Sequence, residues 1–173
     1  MNKPVSSNQD LSKSVIANVS DIEAGDTSHY PGDDELMSLS ASFAHHFKLT
    51  RLGVHHERLL PGRRLSWPHA EADEEEFVYV IDGTPDLWLD GHLHRLKPGD
   101  GIGFSSGTGI AHTIINNTKS DVRLIVVGEP SRFQARIHYP LHPNRNTEIA
   151  ERHWKDVPPR ELGPHDGRPD KAK

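Results

Sequence analysis

Gly62-Arg-Arg-Leu-Ser-Trp-Pro-His69-Ala-Glu71-Ala-Asp-Glu-Glu-Glu76-Phe-Val-Tyr-Val-Ile-Asp82-Gly83 is the stretch whose reading decides the fold. Side chains two apart on an extended chain face the same way, so a strand through His69 and Glu71 presents both to one side. After an acid-rich corner at Asp73 and Glu74, Glu76 opens a second strand. If Glu76 points inward, Val78 and Val80 point inward with it, and Glu75, Phe77, Tyr79 and Ile81 face the other way. The run Phe77–Asp82 is almost wholly apolar, which reads as a strand buried on both faces. About thirty residues on, Ala111-His112-Thr-Ile-Ile-Asn116 reads as a further strand with His112, Ile114 and Asn116 on one face.

Two imidazoles and two carboxylates carried on short strands are the strongest chemical signal in the chain. Imidazole suits Fe, Ni, Cu and Zn, and carboxylate suits Mn and Fe. The expected metal set is therefore His69, Glu71, Glu76 and His112 around a divalent transition metal, with Fe, Mn, Ni and Zn all open. Any three of the four leave coordination positions for water, oxygen or substrate. The competing reading has no metal: an inward carboxylate pair raises one pKa and works as acid–base machinery.

Composition bounds the rest. A chain of 173 residues fits one domain with tails and can bury a core without staples. Apolar residues make up 34% and charged residues 26%, as suits a compact β domain with polar extensions. The net charge of −5 has no basic tract behind it, so nucleic acid is not an expected partner. No apolar run reaches the length of a membrane-spanning helix, and Met1–Asp10 has no apolar core of a secretion signal. The absence of cysteine removes disulfide and thiol chemistry and makes the cytoplasm the expected location.

Residues 1–40 read as a polar arm with a short helix around Asp34–Phe43. From residue 41 to 140, short strands alternate with turns: within Leu49–Leu60, at Arg64–His69, Phe77–Asp82, Asp86–Asp90, His92–Leu96, Gly101–Phe104, Ala111–Asn117, Val122–Glu129 and Gln134–Tyr139. Asp90-Gly91 is a preferred pair for a tight hairpin turn. Eight or nine short strands at regular spacing predict an all-β jelly-roll barrel. Residues 141–173, rich in proline and turns, are expected to run along its surface.

The same residues resemble a known family. Gly62 to Gly83 is similar to the first cupin motif, G-x5-H-x-H-x3–4-E-x6-G, with His69 at the first histidine, Glu71 at the second and Glu76 at the glutamate. One extra residue separates Gly62 from His69. Gly99-Asp100, then Gly109-Ile-Ala-His112-Thr-Ile-Ile-Asn116, resembles the second motif, without its proline and with a longer loop. The resemblance spans roughly residues 47–130. It implies a cupin double-stranded β-helix with extended N- and C-terminal arms, similar to the small single-domain bacterial cupins. The family's usual metal set is three histidines and one glutamate, from which Glu71 departs.

Arg64, Ser66 and Asn116 are the candidate substrate contacts, with backbone hydrogen bonding inside the barrel as the alternative for Asn116. Tyr79 and Tyr139 are candidate acids for an epimerase-like site. His92 with His94, and the adjacent pairs His45-His46 and His55-His56, read as surface histidines. The expected function is a metal-binding cupin acting on a small polar molecule, as a dioxygenase or isomerase. A non-enzymatic ligand sensor and a metal-free sugar epimerase are the alternatives. Apolar residues on both faces of Phe77–Ile81, with the arm, suggest a homodimer.

Overall fold

The computed structural model describes residues 8–129 and 134–170. The ends of both expected arms, at 1–7 and 171–173, lie outside the described residues. Two short helices, α1 (Asn8–Val15) and α2 (Val19–Ile22), precede strand β1 (Leu39–Ser42) and helix α3 (Phe43–Phe47). The helix expected around Asp34–Phe43 is therefore displaced: residues 39–42 are strand, and the helix starts at Phe43. Ser42 accepts a hydrogen bond from the His45 backbone N–H and starts the helix there, while Leu39 to Ser42 pair with β2.

The barrel strands follow: β2 (Gly53–Leu59), β3 (Ala70–Glu71), β4 (Glu76–Asp82), β5 (Asp86–Leu89), β6 (His92–Arg95), β7 (Gly101–Phe104), β8 (His112–Ile115), β9 (Val122–Gly128) and β10 (Ile137–His138). One sheet runs β1-β2-β9-β4-β7, a second runs β6-β5-β8, and β10 pairs with β3, all antiparallel. Arg64–His69 is not the continuous strand expected. It touches β8 through single bridges, Arg64 to Ile115 and His69 to His112. Pro68 removes one ladder donor there. The Asp90-Gly91 turn takes the expected form, with both residues at positive φ.

The main core lies between the sheets: Leu59, Val78, Val80, Leu87, Ile114 and Leu124 are each at most 8% exposed. The three-stranded sheet is covered on its outer side as well. Trp88 and Ile115 pack there against Trp154 of the C-terminal extension, and Trp88 Nε1 donates to the His165 carbonyl at 2.9 Å. The extension is held further by Gly163 N–H to Asp90 O at 2.7 Å and by an ion pair between Arg160 and Asp90. A Cβ on Gly91 would stand 2.4 Å from the Gly163 backbone, so this contact requires glycine. A third cluster joins arm to extension: Trp67 is stacked between Tyr30 at 4.1 Å and His142 at 4.0 Å. Among the described residues, the outer face of the five-stranded sheet is covered only toward α2, where His56 is 7% exposed. Phe77, Tyr79 and Ile81 alternate with buried Val78 and Val80 and are 42–44% exposed. The double burial read from the sequence is thus met on one face of β4 only.

Candidate functional site

The bridge between His69 and His112 brings the two sequence motifs together. Their backbones exchange hydrogen bonds at 2.9 and 3.2 Å, and their rings lie 5.0 Å apart. His69 Nδ1 faces the Trp67 carbonyl at 2.8 Å, and His112 Nδ1 faces the Ile110 carbonyl at 3.3 Å. A carbonyl only accepts, so each Nδ1 carries a proton, and in the neutral ring each Nε2 presents a lone pair. Second-sphere carbonyls of this kind orient metal-ligating histidines. Phe104 stacks on the His112 ring at 3.5 Å and fixes its plane.

The carboxylates meet these nitrogens. Glu71 Oε1 is 4.0 Å from His69 Nε2, and Glu76 Oε1 is 3.5 Å from His112 Nε2. The latter distance is too long for a hydrogen bond, and His112 Nε2 is a buried nitrogen without a hydrogen-bond partner. An acceptor facing a carboxylate in a buried setting calls for a proton or a cation between them. Two donors bonded to one ion at about 2.1 Å stand roughly 3–4.2 Å apart, so both pairs are within range for a shared ion. Among the described residues, no group of three or more His, Asp or Glu side chains is close enough together to hold an ion as it stands. The four residues fit a divalent metal in donor type, and the spacing fits within the pairs His69–Glu71 and His112–Glu76; full convergence requires the two pairs to close toward each other.

Ionisation follows the burial. Burial, and next Glu76 beside it, push the Glu71 carboxyl up to about 8. Burial also pushes Glu76 up, but a hydrogen bond from His112 when that ring is protonated, and next the positive charge of His112, His69 and His55 in their protonated forms, outweigh it and hold that carboxyl below its usual range. Burial and the neighbouring His112 hold His69 low, in its neutral form.

Two further inward residues come from β2, where the sequence reading had placed only surface histidines. Leu59 is in the core, so Glu57 and His55 share its inner face. The Glu57 oxygens accept from Ser38 and Ser40, both at 2.7 Å. His55 Nδ1 lies 4.0 Å from Glu57 Oε1, and its charge is felt at Glu76. Burial raises Glu57 and lowers His55. The sequence signal was the alternation His55-x-Glu57-x-Leu59, in which one apolar core position marks its neighbours two and four back as inward.

Two candidate substrate contacts are engaged elsewhere. Arg64 is 1% exposed, pairs with both Glu35 oxygens and donates to the Gly167 carbonyl at 2.7 Å. Asn116 is fully buried, donates to the carbonyls of Leu59 and Ser120 and accepts from Thr118. Both tie loops to the barrel instead of facing the donors. Ser66 stands behind His69, its Oγ 3.3 Å from Nδ1. Tyr79 is on the outer sheet face, whereas Tyr139 is buried with its ring 5.9 Å from His69. A hollow of about 440 Å³ opens beside Glu76 and Phe104, rimmed by Leu52, Ser105 and Gly128. A larger one of about 1050 Å³, lined by Asp73, Arg136 and Arg152, contains none of the four donors, and donor chemistry outweighs size in locating the site.

The cupin-domain family model matches residues 55–128. A sugar phosphate isomerase of the cupin superfamily from Silicibacter pomeroyi is similar at 30% identity, over 65% of this chain and 73% of that one, with a TM-score of 0.59. The chain belongs to the cupin superfamily. Two other solved structures show the cupin fold alone. A proposed sugar phosphate isomerase from Acidithiobacillus ferrooxidans has 24% identity over 79% of this chain and 85% of that one, with a TM-score of 0.68. A polyketide cyclase from Streptomyces resistomycificus has 20% identity over 79% and 94%, with a TM-score of 0.59. No curated protein matches this cupin. Among its described residues, no helix is long and apolar enough to cross a membrane.

Proposed function

We propose that this cupin is a metal-dependent isomerase of a small polyhydroxylated carbonyl compound. The reading is carried by the bare, buried His112 Nε2 facing Glu76 across 3.5 Å. The similarity to the Silicibacter sugar phosphate isomerase supports the substrate class. His69, Glu71, Glu76 and His112 would hold the ion, of which Fe, Mn, Ni and Zn remain candidates. Bound there, a divalent metal polarises a carbonyl or hydroxyl oxygen and so acidifies the adjacent C–H. Phe104 and Leu52 restrict water around the bound compound. His55, backed by Glu57, takes a proton from one carbon and returns it to the next, with Glu57 keeping the ring in position. The protein works in the cytoplasm as a homodimer on a small molecule, with neither nucleic acid nor membrane as partner.

The experiment has two arms. Protein purified without chelators is analysed for metals, and about one equivalent per chain is expected. Less than about 0.1 equivalent, unchanged on adding Fe, Mn, Ni or Zn, removes the metal. Candidate aldoses and their phosphates are then incubated in deuterated water. Deuterium at the carbon next to the carbonyl supports isomerase chemistry, and ligand-induced thermal stabilisation without exchange favours the sensor reading instead.

A further inference from the structure

The hollow beside Glu76 has a neighbour of opposite charge. Leu52 rims the first and also lines a second, of about 460 Å³, between the end of α3 and the start of β2. His55, the proton-transferring base of the isomerase reading, opens into this second hollow, with His45, Lys48, Thr50 and Gly53 around it. The first hollow is lined by the carboxylates of Glu75, Glu76 and Glu129, with Arg51 among them. The second has one lysine, two histidines and no carboxylate, in a chain with 25 acidic residues and a net charge of −5. A cleft lined by one sign of charge raises the local concentration of ligands of the other.

The register defines what lies between the two. Gly53, Gly128, Glu76 and Phe104 form one inward row across β2, β9, β4 and β7. Glycine at two neighbouring positions puts no side chain between the Glu76 carboxylate and the second hollow, and glycine inside a strand often marks a close approach of ligand or backbone. The backbones are close as well: a Cβ on Gly53 would stand 3.2 Å from the Gly128 carbonyl oxygen. Two ladder steps of about 4.8 Å separate β4 from β2, so the row spans roughly 10 Å from Glu76 to the second hollow. At about 1.5 Å per bond, that is roughly the reach of a six-carbon compound with a terminal group. His55 occupies the next row on β2, so a substrate laid along the glycines passes over the base.

Lys48 is placed by the end of α3. Its backbone is left-handed, with φ 55°, at a position where helices usually carry glycine, so a lysine there accepts backbone strain. Its N–H donates to the His45 carbonyl at 3.2 Å, and the Leu49 N–H donates to the Ala44 carbonyl at 2.9 Å, which satisfies two of the last carbonyls of the helix. Among the described residues, neither the Lys48 ammonium nor the His45 ring has an ion-pair or hydrogen-bond partner.

We propose that the hollow at the end of α3 seats a terminal oxyanion of the substrate, phosphate or carboxylate, held by Lys48 and His45 while the carbonyl end lies at His112 and Glu76. The substrate is then an anionic sugar, and Lys48 is the residue that selects it over a neutral one. A lysine ammonium acts as a point charge and serves either oxyanion. The substrate's part in this rests on the isomerase reading; the oxyanion seat does not.

The first measurement therefore needs neither metal nor turnover. The chelated full chain is titrated with inorganic phosphate and followed by amide NMR. Saturable shifts are expected to concentrate on residues 45–55. Lys48→Gln is expected to weaken phosphate at least about tenfold, and Lys97→Gln, which removes the same charge from the exposed turn before β7, is expected to leave it unchanged. Shifts confined to other residues, no saturable shift, or equal losses in the two variants overturn the seat. The second measurement compares deuterium exchange into aldose phosphates, uronates and uncharged aldoses of equal carbon number. Exchange into phosphates identifies the oxyanion as phosphate, and exchange into uronates as carboxylate. For the class that exchanges, Lys48→Gln is expected to raise KM at least about tenfold with a much smaller change in kcat. A loss that falls equally on the uncharged aldose overturns the selecting role. Phosphate seated at residues 45–55 with no exchange into any sugar overturns the isomerase reading and leaves the seat as an oxyanion site.

Discussion

Glu71 is the residue that most distinguishes this site, and its ionisation makes it testable. Its carboxyl binds a proton up to about pH 8 when folded, against 4.5 as the ordinary value. Between those limits the metal-free native state holds a proton that the unfolded chain has released, so stability falls as pH rises. His69 and His55, both held low in the native state, act oppositely: the unfolded chain takes up their protons below about pH 6.5, so stability rises toward that pH. The two trends offset each other in acid, and the decline toward pH 8 comes from Glu71, at most about 1.4 kcal/mol per pH unit, together with Glu57, which burial raises in the same direction. Urea titrations of chelated protein should show this decline, and Glu71→Gln should flatten it. A bound ion displaces the same proton, so metal titration at pH 7 in buffers of different ionisation heat should report about one proton released. Glu71→Ala should abolish metal retention, measured by elemental analysis, while Glu75→Ala, at an exposed position facing outward, should leave it intact. The alternation along Glu75–Ile81 was readable in the sequence because a period of two needs no knowledge of neighbours. His55 and Glu57 were not, because an adjacent histidine pair says nothing of which member faces inward until Leu59 is placed in the core. Arg64 and Asn116 were legible as unusual polar residues, but their partners Glu35, Gly167 and Ser120 come from loops that only the folded chain brings near.

Among the elements, the β5–β6 hairpin carries the most consequence for its length. Its turn was predictable from Asp90-Gly91, since both residues tolerate positive φ. Its second role was not: the turn is also the seat of Gly163, and nothing in a proline-rich tail announces where it will dock. Gly91→Ala should therefore do more than strain a turn. Its Cβ would collide with the Gly163 backbone, and limited proteolysis should cut the extension after about residue 154 in the variant while sparing the parent. Trp88 on the same hairpin is wholly buried between sheet and tail, and Trp88→Ala should cost about 3–5 kcal/mol in chemical denaturation.

At the scale of the whole molecule, the barrel was legible from strand rhythm and turn residues, whereas the roles of its two extensions were not. Arm and tail meet at Trp67, the arm through Tyr30 and the tail through His142, so the residue next but one before His69 is held by both ends of the chain. Removing residues 153–170 should lower the melting temperature by well over about 5 °C and expose Trp88 to quenchers, since Trp154, the His165 carbonyl and the Arg160 ion pair leave together.

That closing contact at His165 has a bearing on biosynthesis. A chain emerges from the ribosome N-terminus first, and the tryptophan on β5 finds its last partner only 77 positions later. The barrel is accordingly an incomplete object until that segment has emerged, with a greasy sheet waiting for its lid, and the arrival of the stretch around His165 is the event that lets the native packing lock.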